Sequence, residues 1–373
     1  MPTTALLDDM TRAILEREDV ARLLHGGHGG SAAEAHERVI AYLDELRTTQ
    51  RYPFYRALQH PLYPILRKVQ RRYEHVDRVK RAVEAGRVIY VSNHRSHIDY
   101  LVEPLAIDDN GIRPPLIAAG INLFGGPLGL LHRHVTGAVP IRRNTKDPVY
   151  LVTLQAYVAE LLTRHDLLFY PEGGRSYSGE LKPAKTGLFR AALQSGVHDL
   201  LIVPTAISYD LVLEDRALAK QGVKRRQRPF TQEIAEMVRL AVGYRSRSFV
   251  VFGEPIPLAD HDGESRRNVL DVAHRTRDAI GRLFKVLPTA VVAAAMRPSV
   301  TTRDLEDRVS GLLDRLRAAG ANLGVDSAAE AVESGTRMLH HRGIIRLEAG
   351  RVRVRDRAVL KYYARSLNHL LTS

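Results

Sequence analysis

The segment VIYVSNHRSHIDYLVEPLAI, residues 88–107, passes from a strand pattern to a helix pattern and decides the fold class. Val88–Val91 is a short apolar run rich in β-branched residues, and Tyr100–Ile107 has apolar residues at helical spacing. The alternation continues, with further predicted strands at Leu167–Tyr170, Leu201–Ile207 and Phe249–Phe252, and helices at Tyr150–His165, Thr186–Leu193 and Ser265–Val286. This pattern predicts an α/β fold in which a mixed sheet is layered with helices.

Different patterns flank this α/β segment and divide the chain into three predicted domains. Residues 1–85 are mostly helical in pattern, and residues 288–373 contain two helices, a hairpin with Glu-Ala-Gly as its turn, and a closing helix. That order resembles a winged-helix unit. We therefore predict an N-terminal helical region over residues 1–85, an α/β domain over residues 86–287, and a small helical, winged-helix-like region over residues 288–373.

Three local segments carry more specific predictions. Ser31 and Glu34 have the spacing of a capping box at the start of a helix. The stretch Tyr52–Val69 mixes aromatic, leucine and basic residues, and it fits either a helix face on an anionic membrane or a solvated face packed on the next domain. The polar and basic segment Glu214–Phe230 is typical of a mobile insertion.

Composition limits the classes of function. The 373 residues include 55 Lys and Arg against 42 Asp and Glu, a formal net charge of +13, which favours nucleic acid, anionic lipid or a phosphorylated substrate as a partner. There is no cysteine, so thiol catalysis, cysteine-bound metals and disulfides are excluded. The N-terminus lacks the pattern of a secretory signal, and the apolar stretch Pro114–Leu131 is expected to be buried or re-entrant rather than to dip into a membrane.

The first candidate for chemistry is the pair His94 and Asp99. His94 follows a predicted strand at its carboxyl end, where open α/β sheets place their ligands. A sharp bend at Arg95 and Ser96 would bring the Asp99 carboxylate to one imidazole nitrogen, fix the tautomer and leave the other nitrogen free to accept a proton. The alternative is that Asp99 only stabilises the helix start, because Ser96-x-x-Asp99 also has capping-box spacing.

The second candidate is the loop PEGGRSYSGELKPAKTG, residues 171–187, which follows another predicted strand. Its glycines permit tight backbone turns, while Arg175, Lys182 and Lys185 can donate to an anion. Glycines and cations after a strand predict a phosphate-binding loop, and a solvated turn with surface charges is the alternative. The loop does not contain the G-x-x-x-x-G-K-[S/T] pattern of a Walker motif.

Two further motifs are weaker when taken alone. The extended run GAVPIRRN, residues 137–144, ends in the charged pair Arg142 and Arg143. Taken alone, such a pair at the end of a strand is typical of surface charge. The run LIVPTAIS, residues 201–208, is a predicted buried strand with Pro204 inside it, and proline favours strand edges and bulges. Nucleophile-elbow, zinc-helix and dinucleotide motifs are missing from the sequence, so we expect neither a metal nor a covalent enzyme intermediate.

Together and in this order, the four motifs resemble the glycerolipid acyltransferase family, and more closely its glycerol-3-phosphate and dihydroxyacetone-phosphate branch. NHRSHID matches the H-x-x-x-x-D motif, IRR the basic end of the second block, PEGGRSYSGELKPAKTG the third block and IVPTAIS the fourth. The resemblance covers about residues 85–255, and the terminal YYARSLNHLL is similar to the C-terminal region of the glycerol-3-phosphate branch. Ser178 stands where the branch often has Thr, and Pro140 where an aromatic residue is common; neither difference removes a charge.

The resemblance implies a fold like that of glycerol-3-phosphate acyltransferase and a role for each motif. His94 would deprotonate an acceptor hydroxyl, and Asp99 would orient the imidazole. The acceptor phosphate would be held by Arg142, Arg143, Arg175 and Lys185, and the pocket would be shaped by Glu172, Gly173, Ser176 and Pro204. The donor would be acyl-CoA or an acyl carrier protein, and no cofactor or metal is implied. The apolar stretch after Pro114 would help to wall an acyl channel.

The implied reaction moves a fatty acyl chain to the sn-1 hydroxyl of glycerol-3-phosphate and gives lysophosphatidate, the first step of phospholipid synthesis. Dihydroxyacetone phosphate and lysophosphatidate remain alternative acceptors, because both also carry a phosphate. A lipid product implies contact with an anionic membrane surface, so we expect a peripheral or monotopic protein on the cytoplasmic side. A winged-helix nucleic-acid binder is the alternative of another class; it would not explain His94 and Asp99, so nucleic acid is not the expected partner.

Overall fold

The structure, a computed structural model, describes residues 3–25, 31–51, 54, 69–124, 136–143, 145–224, 246–259 and 261–371. Its described strands form two sheets. The strands of the large sheet are β1 (Gln70–Glu74), β2 (Arg87–Ser92), β3 (Leu116–Gly120), β4 (Ala138–Ile141), β5 (Leu167–Phe169), β6 (Leu200–Tyr209), β7 (Arg247–Phe252) and β8 (Ile256–Pro257). The small sheet contains β9 (Ser299–Thr301), β10 (Ile345–Glu348) and β11 (Arg351–Val354).

The large sheet is mostly parallel, with its strands in the order β1-β7-β6-β2-β5-β3-β4 and β8 beside β6. The strands from β2 to β6 share one direction, whereas β7 and β8 pair antiparallel to β6. The predicted α/β fold with a mixed sheet is therefore confirmed. Strand β2 lies between β5 and β6, and its Val91 is opposite Phe169 of β5 and Pro204 of β6. The carboxyl ends of β2 and β5 therefore lie side by side.

Helices cover both faces of this sheet. Three precede it: α1 (Thr3–Leu15), α2 (Glu18–His25) and α3 (Ala32–Leu46). Those within the α/β region are α4 (Val76–Ala85), α5 (Asp99–Asp108), the 3-10 turn Ile121–Phe124, α6 (Pro148–Leu162), α7 (Gly187–Leu193), α8 (Asp215–Lys224) and α9 (Arg266–Leu283). The C-terminal ones are α10 (Pro288–Ala295), α11 (Thr302–Ala318), α12 (Ala328–His341), α13 (Arg357–Arg365) and α14 (Asn368–Leu371).

The central strand β2 is buried on both faces, and its alternating side chains enter two separate cores. Val88 and Tyr90 pack with α5 and the C-terminal helices, whereas Ile89 and Val91 pack with α6, α7 and α9. Strands buried on both faces are typical of parallel sheets and read as continuous apolar runs. This burial explains why β2 can be recognised from the sequence.

The C-terminal region has the predicted winged-helix-like order. Helices α11 and α12 precede the antiparallel hairpin of β10 and β11, and β9 extends that hairpin to three strands. Glu348 pairs with Arg351 across a two-residue turn in which Ala349 and Gly350 both have positive φ, 42° and 75°. Positive φ at both central positions is the requirement of the tight turn that matches the twist of a hairpin.

Two predictions about local structure are wrong. Gln70–Glu74, predicted within a helical region, is an edge strand that pairs with β7, and this pairing starts at Arg247, far away in the sequence. Of the segment predicted as a mobile insertion, Glu214–Phe230, the described part begins with two fully buried acids, Glu214 and Asp215, and continues as α8, whereas residues 225–230 lie outside the described residues. Both acids are held by partners from distant segments, which local composition does not reveal.

Other local predictions are confirmed or fall outside the described residues. The capping box of Ser31 and Glu34 is confirmed, with both of its hydrogen bonds present. The apolar stretch Pro114–Leu131 is described as far as residue 124, and its strand β3 is buried for most of its length, as expected. The segment Tyr52–Val69 lies almost wholly outside the described residues. Within the described part of the chain, we find no helix that combines the length and apolarity needed to cross a bilayer.

Candidate active site

The turn between β2 and α5 brings His94 and Asp99 together as predicted. His94 Nδ1 lies 2.9 Å from Asp99 Oδ2. The same carboxylate oxygen accepts the backbone N–H groups of Arg95, at 2.6 Å, and Ser96, at 2.8 Å. Asp99 therefore does both things considered for it: it stabilises the sharp bend at the helix start and it binds the imidazole.

The Asp99 carboxylate is fully buried and has a partner on each oxygen. Its other oxygen, Oδ1, accepts the hydroxyl of Tyr209 at 2.6 Å. Burial raises the pKa of Asp99 to about 6, against the opposing effect of the Ser96 N–H and the Tyr209 hydroxyl. Asp99 is therefore charged at neutral pH and can stabilise a positive charge on the neighbouring ring.

The imidazole of His94 is neutral at neutral pH. Burial lowers the pKa of His94 well below its ordinary value, and the positive charge of Arg175 lowers it further. With Nδ1–H donating to Asp99, the lone pair is on Nε2. Among the residues that the structure describes, Nε2 has no hydrogen-bond partner, so this nitrogen can accept a proton from a bound molecule.

A second buried carboxyl group lies behind the ring. Tyr170 stacks on His94, with ring centroids 4.2 Å apart and planes 15° apart. The Tyr170 hydroxyl donates to Glu103 Oε2 at 2.7 Å, and the Ser92 hydroxyl donates to Glu103 Oε1. Burial raises the pKa of Glu103 well above its usual range, and the nearby charge of Asp99 raises it further.

Our sequence reasoning missed Glu103 and Tyr170. A usable signal was present for Glu103, which is the single charged residue in the run LVEPLAI, residues 101–107, on a helix that carries His94's partner. Every residue of α5 is buried, so a carboxyl group at this position needs buried partners. Tyr170 gave no such signal, because an aromatic residue at the end of an apolar strand is ordinary.

The loop that follows β5 is joined directly to the His94 turn. Glu172 accepts the backbone N–H of His94 at 2.9 Å through one oxygen and that of Lys182 at 3.2 Å through the other. Ser176 donates its backbone N–H to the His94 carbonyl at 3.0 Å and its hydroxyl to the Glu180 carbonyl at 2.6 Å. Glu172 and Ser176 thus fix the backbone around His94.

A cleft of about 510 Å³ connects the imidazole to cationic and apolar groups. Its lining includes His94, its cationic members are Arg142, Arg143, Lys185 and Arg190, and much of the remaining wall is apolar. Representative apolar members are Ile117, Ala118, Ile141, Leu151, Leu154 and Leu188. The structure therefore brings three of the four cations predicted for the phosphate into one cleft with His94.

The two neighbouring arginines of the second motif differ in their partners. Arg142 forms a bidentate ion pair with Glu45 of α3, with the closer contact at 2.5 Å, and its guanidinium lies over the ring of Tyr42. Arg143 is exposed, and a Cβ placed on Gly174 would lie 3.4 Å from its Nη1. Arg143 can therefore reach a ligand at the glycine-rich loop more readily than Arg142, whose charge is already partly balanced.

Gly173 leaves the space that the Lys185 side chain occupies. Gly173 has φ +69°, a backbone conformation that favours glycine, and a Cβ at this position would lie 2.7 Å from Cε and 2.8 Å from Nζ of Lys185. Both residues line the cleft. The glycine is needed here for its backbone conformation and for the close approach of the lysine.

Arg175, the fourth predicted cation, is buried behind the cleft and is not among its lining residues. It lies 3.4 Å from the fully buried carboxylate of Glu214. The same carboxylate accepts the Ser96 hydroxyl at 2.8 Å and the His97 N–H at 2.6 Å. Glu214, which sequence reasoning also missed, thus joins the His94 turn to the glycine-rich loop.

Pro204 lies inside the sheet and outside the group of cleft-lining residues. It is opposite Val91 of β2, at the point where the antiparallel neighbour of β6 changes from β8 to β7. The carbonyl of Pro204 accepts the N–H of Gly253 at 2.7 Å. A residue without an N–H fits this interruption between two ladders.

The described residues contain no cluster of three or more acidic or histidine side chains that could hold a metal ion. The sequence also contains two histidines at H-x-H spacing, His132 and His134, for which no carboxylate close by in the sequence predicts a metal site, and both lie outside the described residues. The groups that the site brings together are a neutral imidazole, two buried acids around it, and cations along an apolar cleft.

The part of the chain that contains this site is similar to known proteins. A family model described as Acyltransferase matches residues 70–208, which include every predicted site residue. A putative acyltransferase, plsB1, of Mycobacterium tuberculosis is 35% identical over 243 aligned residues, covering 60% of this chain and 38% of that protein. A glycerol-3-phosphate acyltransferase of Aeromonas hydrophila is 30% identical over 321 residues, covering 78% of this chain and 39% of that protein. The chain matches about two fifths of the length of these curated relatives.

Proposed function

This chain belongs to the glycerolipid acyltransferase family, and from that premise we propose that it transfers a fatty acyl chain from an acyl thioester to the sn-1 hydroxyl of glycerol-3-phosphate. The observation that carries the proposal is one cleft that joins the His94 imidazole, held by Asp99, to the side chains of Arg143 and Lys185. The product would be lysophosphatidate, so the reaction is a first step of phospholipid synthesis.

His94 acts as the general base. Its Nε2 takes the proton of the acceptor hydroxyl while that oxygen attacks the thioester carbonyl carbon, and the ring becomes an imidazolium stabilised by Asp99. The carbon–sulfur bond then breaks, and the proton moves from the ring to the departing thiolate. The neutral imidazole is restored, and no enzyme-bound acyl group is formed.

The cations hold the acceptor through its phosphate. Arg143 and Lys185 line the cleft on the side of the glycine-rich loop, and a guanidinium and an ammonium group together suit a phosphate dianion. Arg142 keeps its ion pair with Glu45 and contributes a fixed charge at the cleft wall. Arg175, which is buried beside Glu214 and does not line the cleft, adds positive charge from behind the glycine-rich loop.

The apolar part of the cleft suits the acyl chain of the donor. Side chains from β3, α6 and α7 supply this wall, including Ile117 and Leu154. The donor is acyl-CoA or an acyl carrier protein, and the reaction requires neither a cofactor nor a metal. Since the product is a lipid and the chain carries a net charge of +13, the protein works as a peripheral or monotopic protein at an anionic membrane surface, on the cytoplasmic side.

The decisive experiment identifies the product. The purified protein is incubated with labelled acyl-CoA and, in separate reactions, glycerol-3-phosphate, dihydroxyacetone phosphate or lysophosphatidate. We expect labelled lysophosphatidate from glycerol-3-phosphate at the highest kcat/KM. A higher kcat/KM with either other acceptor would reassign the acceptor, and no acyl transfer to any of them, with acyl-CoA or acyl carrier protein as donor, would refute the proposed function.

A further inference from the structure

The imidazole of His94 is held at its edge by Asp99 and on its face by Tyr170. One hydrogen bond at Nδ1 fixes the position of that nitrogen but still permits the ring to rotate about the bond. The Tyr170 ring, 4.2 Å away and nearly parallel, limits this rotation. Because Nε2 is the atom that takes the proton, the plane of the ring decides where that atom points in the cleft.

Tyr170 is in turn held by Glu103. Tyr170 follows β5 at the start of the glycine-rich loop, and Glu103 is one helical turn after Asp99 on α5. The 2.7 Å hydrogen bond between them ties the ring that stacks on His94 to the helix that carries Asp99. The stacking partner and the hydrogen-bond partner of His94 are thereby positioned by the same helix.

The chemistry of Glu103 does not match that of a core-filling residue. It is fully buried on a helix whose side chains are all buried, and it accepts hydrogen bonds from the hydroxyls of Ser92 and Tyr170. Burying a carboxyl group is unfavourable compared with burying an apolar side chain of similar size, unless hydrogen bonds compensate. Packing alone does not explain a carboxyl group at this position, whereas its hydrogen bond to Tyr170, whose ring stacks on His94, does.

We propose that Tyr170 and Glu103 are positioning residues for the general base: Tyr170 fixes the plane of the His94 ring, and Glu103 fixes Tyr170. The inference rests on the proposed function and extends it to two residues outside the four motifs. Neither residue takes part in the proton transfer itself. Their removal therefore lowers kcat and leaves acceptor binding unchanged.

The test is a double-mutant cycle on kcat and on KM for glycerol-3-phosphate. We expect Tyr170→Leu and Glu103→Leu each to lower kcat by between about tenfold and about a hundredfold, with the KM for glycerol-3-phosphate within about twofold of the wild type. In the Tyr170→Leu background, Glu103→Leu is expected to have no further effect on kcat, because Glu103 acts through Tyr170. The conservative change Glu103→Gln keeps a hydrogen-bonding group and should retain kcat within about threefold.

The matched control is Tyr73→Phe. Tyr73 also donates its hydroxyl to a carboxylate, that of Asp109, at the opposite end of α5. Its replacement by Phe is expected to leave kcat unchanged. If Glu103→Leu does not fold, Tyr170→Phe replaces it in the test, since this change keeps the ring and removes only the contact with Glu103. We then expect kcat to fall several-fold with the KM for glycerol-3-phosphate unchanged.

Unchanged kcat in Tyr170→Leu, or equal effects of Glu103→Leu in both backgrounds, would overturn the proposal. An inactive wild-type enzyme would instead count against the proposed function.

Discussion

At the scale of single residues, the proposed chemistry depends on one imidazole. We expect His94→Ala to lower kcat by about 10²–10⁴-fold, because it removes the proton acceptor and leaves the cleft otherwise intact. Steady-state acyl transfer measures the loss, and a circular dichroism spectrum checks that the variant is folded. The matched control is His198→Ala, which changes an exposed histidine before β6. A folded His94→Ala enzyme with wild-type kcat would contradict the assignment.

The protonation state of His94 gives a second expectation at this scale. Burial lowers the pKa of His94 below its ordinary value of about 6.5, so the folded protein keeps the ring neutral under conditions where the unfolded chain protonates it. This difference lowers the free energy of unfolding as the pH falls below about 6.5, until the folded ring is also protonated. We expect the NMR signal that is lost in His94→Gln to keep its neutral-ring position from pH 8 down to pH 6.5. A titration midpoint at or above pH 6.5 would show that the ring is not desolvated.

At the scale of elements, the loop after β5 has a glycine, Gly173, with positive φ in close contact with the side chain of Lys185. We expect Gly173→Ala to raise the KM for glycerol-3-phosphate by about tenfold, because its Cβ would displace the Lys185 ammonium group from the cleft. Gly196→Ala is the matched control: Gly196 has a similar φ of +77°, but its Cβ would meet open space. Both changes should destabilise the fold by about 1 kcal/mol through backbone strain. If Gly173→Ala and Gly196→Ala had the same KM for glycerol-3-phosphate, Lys185 would not contribute to acceptor binding.

The contacts around His94 also show which parts of an element can be predicted from sequence. The bond between His94 and Asp99 follows from five residues of spacing across a strand end and a helix start, so local geometry was sufficient. The elements that read as continuous apolar runs or regular helical patterns were recognised for the same reason. In contrast, the acids that surround the turn, Glu103, Glu172 and Glu214, have partners that are remote in sequence. Their positions depend on the order of strands in the sheet, which no local pattern determines.

At the scale of the whole molecule, the C-terminal helices and hairpin, residues 288–371, pack against the α/β part of the chain next to the candidate site. Asp215, the neighbour of Glu214, is fully buried and binds Arg342 from the end of α12 and the Tyr363 hydroxyl from α13. A Cβ placed on Gly179 would lie 1.9 Å from the Tyr362 carbonyl oxygen, so the glycine-rich loop also packs closely on α13. The C-terminal region therefore supports two of the segments that surround His94.

The ion pair between Arg342 and Asp215 makes this support measurable. We expect Arg342→Ala to lower the free energy of unfolding by about 3–5 kcal/mol at pH 8, because it leaves a buried carboxylate without its cation. Burial already raises the pKa of Asp215, and the loss of Arg342 raises it further, so the carboxyl group takes up a proton as the pH falls and the destabilisation becomes smaller at pH 5. Denaturant unfolding at the two pH values measures both effects. In the control Arg317→Ala, an exposed pair with Asp314 is lost, which should change the stability by at most about 0.5 kcal/mol. A loss in Arg342→Ala that is as small as the control, or equal at both pH values, would mean that this ion pair does not hold the two parts of the molecule together.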